Sequence, residues 1–373
     1  MPRFRPRLAL LLLASLLAVS VAACGGDDGD DDSNAAPPTQ TEAVDPTLAG
    51  ADLQPVKSYL LDHTDRLESF TADFGRAAAR YHSLAEGAEY RYADLFETQG
   101  REVVEVLAEA KRLWIEGNPA YERMEGIVAG TPSLARFDVI LDAGSSAAED
   151  PASAVPFDLE LADGRTLEQP GNLFSLTEAM LWGTRDELVA RRVDLDGDGR
   201  QEFGEALPDA PALAAAAEAF DRYARDLARE ARAWTPSPSD AFTSLVVMVP
   251  TMSEYFGQWK ESRFVAGNAS SSEAFNVVSR LSDIRDILGS LEVVYDGVAP
   301  AIARKNAAQS RQTGRELSQL GSFIDRLYAQ EKAGKRFTPE QADQLGADAQ
   351  ARGTAIAGQV SQAAARLGVE IEQ

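Results

Sequence analysis

VSRLSDIRDILGSL, residues 278–291, sets Val278, Leu281, Ile284, Ile287, Leu288 and Leu291 three and four places apart, the spacing that gathers side chains on one face of an α-helix. GRELSQLGSFIDRLYAQ, residues 314–330, repeats the pattern with Leu317, Leu320, Phe323, Ile324 and Leu327. Such stripes need apolar partners, so they predict helices packed on helices. Alanine-rich runs at 213–234 and 354–367 add helix propensity and allow close packing. Breaks are expected at Gly117-Asn118-Pro119, at Thr131-Pro132, through the Gly/Pro/Ser/Asp-rich stretch 144–171, at Pro236-Ser237-Pro238 and around Gly267-Asn268. The reading is all-α: two antiparallel four-helix-type bundles, 53–235 and 236–373, the first interrupted by a long loop. Within that loop FDLELADGRTLEQ alternates about Asp163-Gly164 as a short hairpin would.

Upstream, MPRFRPRLALLLLASLLAVSVAAC pairs three arginines with an apolar run and a small-residue ending, the build of a secretory signal over residues 1–23. Val21-Ala22-Ala23-Cys24 fits the bacterial lipobox, in which the cysteine is lipidated. Cys24 is the only cysteine, so it has no disulfide partner within the chain and no metal cluster to join. Residues 24–52, acidic and then Pro-rich, read as a solvated tether. The expectation is an extracytoplasmic protein held to the bacterial cell membrane by a lipid on Cys24. The net charge of −23 argues against nucleic acid as a partner and mildly favours cations.

The most specific chemistry lies in DLDGDGRQEFGE, residues 194–205. Asp194, Asp196 and Asp198 take positions 1, 3 and 5 of an EF-hand calcium loop, Gly199 position 6, Arg200 position 7 through its carbonyl, Glu202 position 9 and Glu205 position 12. Position 8, usually apolar where two such loops pair, is Gln201, and no second loop of this kind is present. A lone loop predicts a static calcium clamp that fixes how a helix before residue 193 enters one after 206.

Three segments carry a family resemblance: AKRLWIEGNPAYERMEGIVAG (110–130), LFSLTEAMLWGT (173–184), and YFGQWKESRFVAG (255–267) with FTPEQADQL (337–345) downstream. Together they resemble the imelysin-like family, in particular its iron-uptake lipoprotein branch, EfeO or EfeM. The resemblance implies two four-helix bundles with a metal site in a cleft, and it assigns Glu122, Glu125 and Glu178 to that site. It also exposes departures, since Ser175 stands where the branch has the histidine of its HxxE motif and Ala120 stands where it has a histidine before the tyrosine. Upstream of the second motif only Glu168 offers a carboxylate where the branch has aspartate. Glu168, Asp138 and Asp142 are the candidates to complete the coordination.

Loss of imidazole matters because a zinc-type peptidase needs such ligands, a metal-bound water and a general base. The chain's two histidines, His63 and His82, lie in no matching segment. The expectation is therefore a non-enzymatic binding lipoprotein for metal uptake or metal-dependent ligand capture. Calcium would be structural, iron or another divalent cation the cargo, and a membrane transport protein the partner. The competing expectation is a binding module for an extracellular polymer or protein with a degenerate metal site. Three buried carboxylates must share a cation, an arginine or a proton, and Arg123, Arg185 and Arg263 are the candidate arginines.

Overall fold

The computed structural model describes Leu48 and residues 50–372. The expected signal sequence, Cys24 and most of the expected tether lie outside the described residues. The last tether residues do not behave as free linker: Asp52 donates its backbone N–H to the Gly297 carbonyl, which docks the chain before the first helix begins.

The fold is all-α. Helix α1 runs Gln54–Gly87, α2 Tyr92–Val128, and α3 Ala135–Asp138, which continues into one π-turn at Val139–Ala143. The loop that follows holds the hairpin of β1 (Leu159–Glu160) and β2 (Thr166–Leu167), paired antiparallel around Gly164 at φ +85°. Then come α4 (Leu173–Trp182), a second antiparallel pair of β3 (Val189–Arg192) and β4 (Ala206–Pro208), and α5 (Ala210–Ala233). After Pro236 follow α6 (Pro238–Met248), α7 (Met252–Glu261), α8 (Arg263–Ala266), α9 (Arg280–Lys332) and α10 (Pro339–Leu367). Capping boxes start α6 through Ser237 and Asp240 and α10 through Thr338 and Gln341, each satisfying N–H groups that a helix end leaves free.

Helix α1 packs along α2 and α5, and α4 covers this group. Its core holds an aromatic cluster in which the Phe174 and Phe220 rings meet edge to face at 4.6 Å and Phe70 meets Phe220 at 5.6 Å. In the second group α10 packs against α6, α7 and α9. Helix α9 is two limbs, because Asn306 (φ −154°, ψ 91°) leaves the helical region and the chain doubles back. Tyr295 then donates its hydroxyl to the Ser310 carbonyl, and a Cβ on Gly314 would lie 3.0 Å from the Tyr295 ring. The buried positions of the two stripes read from sequence lie on the two limbs, Leu281 to Leu291 on the first and Leu317 to Leu327 on the second.

The groups join where α2 crosses α9. A Cβ on Gly126 would fall 2.5 Å from Ser290 Oγ, so the missing side chain is what lets the two backbones approach. The described residues accordingly form one compact unit.

The expected break at Gly117-Asn118-Pro119 is absent, for α2 runs through it. Proline removes one helical hydrogen bond, but packing against α1 supplies the compensation: the Phe70 ring fills the space where a Gly117 side chain would stand, 2.2 Å from the Cβ position.

Candidate metal centre

Five elements meet at the crossing of α2 and α9. From α2, Asn118, Glu122 and Glu125 share one face at helical spacing. The π-turn after α3 inserts a residue and turns Asp142 inward, where it is 4 % exposed. Asn172 caps α4 by accepting the Ser175 N–H, and α4 then presents Ser175 and Glu178. The first turn of α9 supplies Arg280 and Asp283, and α7 supplies Tyr255 and Gln258.

One carboxylate oxygen from each of Glu122, Glu125 and Asp142 lies within 4.8 Å of the others, and all three residues are buried. Asn118 donates its amide to Glu122 Oε1 at 2.8 Å, and Tyr255 donates its hydroxyl to Glu125 Oε1 at 2.6 Å. The second oxygens, Glu122 Oε2 and Glu125 Oε2, have no hydrogen-bond partner among the described residues. Besides Tyr255, Glu122 lies close enough to Glu125 for one proton to bridge the two carboxyls. Beside this trio is a chamber of about 10 Å³, bounded by Trp114, Asn118, Glu122, Asp142, Ser175 and Glu178 among others, with room for about one water-sized particle.

The arginine of the cluster is Arg280, and none of Arg123, Arg185 and Arg263 fills that role. Arg280 is 2 % exposed. Its guanidinium lies 3.5 Å from Glu122, 3.3 Å from Asp142 and 3.1 Å from Asp283, while Nε donates to Gln258 Oε1 at 2.8 Å. It also lies 3.9 Å from the centre of the Phe275 ring and 5.0 Å from that of Tyr255. Arg123 instead faces Asp286 on the outer side of the crossing, Arg185 faces Glu187 and Glu273, and Arg263 reaches Asn268. Arg280 and Asp283 were hidden inside the first apolar stripe. Their signal was phase, since Arg280 stands four and seven residues before the core positions Ile284 and Ile287.

One cation for so many carboxyls leaves its mark on their protonation. Burial, then Asp283, Asp142 and Glu125, push Glu122 well above the ordinary carboxylate range, with Arg280 opposing. Burial and Asp142 raise Glu125 to about 7, again against Arg280. Asp283 rises to about 7 through burial, opposed by the same guanidinium. For Arg280 burial opposes the charge, yet Asp142, Glu122 and Asp283 hold it on. With Arg280 as the one guanidinium among them, these carboxyls hold protons into the neutral range unless a further cation takes their place.

Glu178 is 2 % exposed and lines the same chamber, but it stands outside the trio. Its Oε2 accepts the Phe275 N–H at 2.9 Å and its Oε1 the Asn276 N–H at 2.8 Å. Burial raises it to about 7 against those two bonds. Among the carboxylates left open by sequence, Asp142 is the one that meets Glu122 and Glu125. Asp138 is partly exposed and accepts the Tyr121 hydroxyl, and Glu168 is exposed on a surface groove. His63 packs on the Tyr59 ring and His82 bonds Tyr90.

A second acidic group is the loop 194–205. Oxygens of Asp194, Asp196 and Asp198 lie within 4.8 Å of one another. Asp194 accepts the Gly197 and Gly199 N–H groups, both at 2.7 Å, and those glycines take φ of +80° and +87°. Asp198 accepts the Arg200 N–H at 2.8 Å, and Glu205 accepts those of Leu195 at 2.9 Å and Glu202 at 2.7 Å. The Arg200 side chain is exposed, 3.9 Å from Glu202. The flanks are strands β3 and β4, not the helices expected. An antiparallel pair is sufficient to hold both ends of the loop, and Lys111 of α2 donates to the Gly204 carbonyl to fix the hairpin on the first helix group.

A search of curated proteins finds no match to the chain. A sequence model described as Imelysin, of the peptidase M75 type, matches residues 57–360, which include both acidic groups. The chain belongs to the imelysin family.

Proposed function

We propose that this protein is a non-enzymatic binding protein that takes a hard cation as cargo at Glu122, Glu125 and Asp142. The observation that carries the reading is the convergence of three buried carboxylates, one oxygen each from Glu122, Glu125 and Asp142 within 4.8 Å of the others, with Glu125 Oε2 left without a hydrogen-bond partner and Glu122 Oε2 met only by Arg280 at 3.5 Å. Buried carboxylates without donors are costly unless a cation meets them. The donor set is all oxygen, which suits manganese, magnesium or ferric iron better than soft or imidazole-loving ions. Arg280 cancels part of the charge, which tempers affinity and favours release to a membrane partner. The non-catalytic reading draws support from the histidines: neither is among the residues that bound the chamber, so imidazole is available neither as ligand nor as base. The Asp194–Glu205 loop is read as a structural calcium clamp, and the leader with Cys24 as the signal and lipid anchor of an extracytoplasmic protein of the EfeO type.

The test is elemental analysis after mild chelation, followed by titration with Mn²⁺ of the parent and of Glu122→Gln/Glu125→Gln. Retention or uptake of one transition ion per chain, lost in the double variant, supports the reading. Calcium alone, with no Mn²⁺ uptake in the parent, would replace it with a polymer- or protein-binding module whose metal site Arg280 has taken over.

A further inference from the structure

Outside the chamber lies an open cleft of about 540 Å³, with Glu149, Glu187, Glu261 and Glu273 on its walls and Arg185 as its one basic residue. Cleft and chamber share two residues, Ser175 and Phe275. Ser175 and Phe275 therefore stand at the boundary between the two spaces.

Phe275 sits in the left-handed region at φ +59°, a conformation a bulky residue adopts only when its surroundings impose it. The imposing group is Glu178. A left-handed residue turns successive backbone N–H groups toward one point and makes a concave anion site, and here the N–H groups of Phe275 and Asn276 both point to the Glu178 carboxylate. The Phe275 ring is then laid on the Arg280 guanidinium at 3.9 Å. The Asn276 side chain closes the turn from behind by donating to the Ser272 and Ala274 carbonyls.

We propose that Glu178 is a positioning residue: it latches the 271–276 turn so that the Phe275 ring plugs the boundary between the acidic cleft and the chamber that Glu122 and Asp142 line. The inference rests on the cation reading for its cargo, but the latch exists without one. Glutamine at 178 keeps the length and offers a single acceptor oxygen, leaving one of the two N–H groups facing another donor.

Two measurements on the full chain test it. In hydrogen–deuterium exchange, Glu178→Gln is expected to speed amide exchange across 271–277 by about tenfold or more while α1 and α5 stay protected. In stopped-flow release of Mn²⁺ into excess chelator, Glu178→Gln and Phe275→Ala are both expected to release about tenfold faster, with the equilibrium affinity changed far less because association quickens too. Unchanged exchange over 271–277 in Glu178→Gln overturns the latch, whether or not Mn²⁺ binds. A large loss of equilibrium affinity with an unchanged association rate would overturn it also, since that is how a direct ligand behaves. If the parent binds no Mn²⁺, the exchange experiment still decides the latch, and only the cargo reading falls.

Discussion

Replacing Arg280 by methionine asks how much of the chain's stability hangs on one guanidinium. Methionine keeps an apolar stem between Phe275 and Tyr255 and removes the charge that faces Glu122, Asp142 and Asp283 at 3.1–3.5 Å. Arginine and its acidic neighbours are each less than a tenth exposed, and removing one partner from such a buried set costs about 3–5 kcal/mol. With an unfolding entropy of about 2.1 cal/mol/K per residue over a unit of roughly 330 residues, that loss lowers Tm by about 4–7 °C at slightly alkaline pH. The pH dependence has a definite sign. Glu122 and Asp283 already have folded-state pKa values raised above the ordinary carboxylate value, and Arg280 is what restrains them. Without it the folded values climb further, so ionising these groups above neutral pH opposes folding more strongly. Acidification toward pH 5 lets the folded state take up protons first, and the deficit relative to the parent shrinks. Melting curves by circular dichroism, run in parallel at both pH values with chelator present, measure this directly. A variant as stable as the parent at alkaline pH, or a deficit that widens on acidification, would refute the assignment of Arg280 as the counter-charge.

Three further outcomes are expected. Cation binding must displace protons from Glu125, whose pKa is about 7, so Mn²⁺ affinity measured by calorimetry should fall by about tenfold per pH unit below neutrality for each proton displaced; a flat profile would mean that Glu125 is not a ligand. Gly117→Ala should lower stability to urea by about 1–3 kcal/mol, because its Cβ would stand 2.2 Å from the Phe70 ring, and an unchanged midpoint would show that α1 and α2 can separate freely there. Asp194→Asn/Asp198→Asn should abolish calcium-dependent stabilisation, which for the parent amounts to about 2.7 kcal/mol at calcium one hundredfold above Kd; a thermal shift with calcium that survives in the variant would place the ion elsewhere.

Much of the fold was legible because local rules govern it. The stripes are helical from Arg280 to 291 and over 314–330, with Val278 just ahead of the Ser279 cap, and the hairpin turns at Asp163-Gly164 as its pattern required. What lay beyond reach was decided by contacts distant in sequence. Pro119 looked like a break until the Phe70 ring of another helix closed over Gly117. Asn306, in a run of helix formers, gives no local sign that α9 folds back there, for the reversal is fixed by packing between its limbs. At the site, Glu122 and Glu125 could be placed together because residues three apart share one face of a helix. Arg280 could not, since its partners Glu122 and Asp142 lie on elements more than 130 positions away. Glu178 stood out as the one acid of an apolar helix, its burial not decided by spacing, and its partners are main-chain N–H groups of a turn that sequence periodicity does not describe.

The crossing of α2 with α9 divides the acidic cluster unevenly between the two parts of the chain. Glu122, Glu125, Asp142 and Glu178 all precede residue 236, whereas Arg280 follows it. During synthesis, the first part is complete well before its neutralising side chain leaves the ribosome. Until then those acids must stay hydrated or protonated, and the α2 face that carries them cannot close dry. The earlier part of this polypeptide is therefore, taken alone, an anion waiting for its counter-ion, and a dissected N-terminal fragment should remain loosely folded around α2 until the α9 segment is supplied in trans.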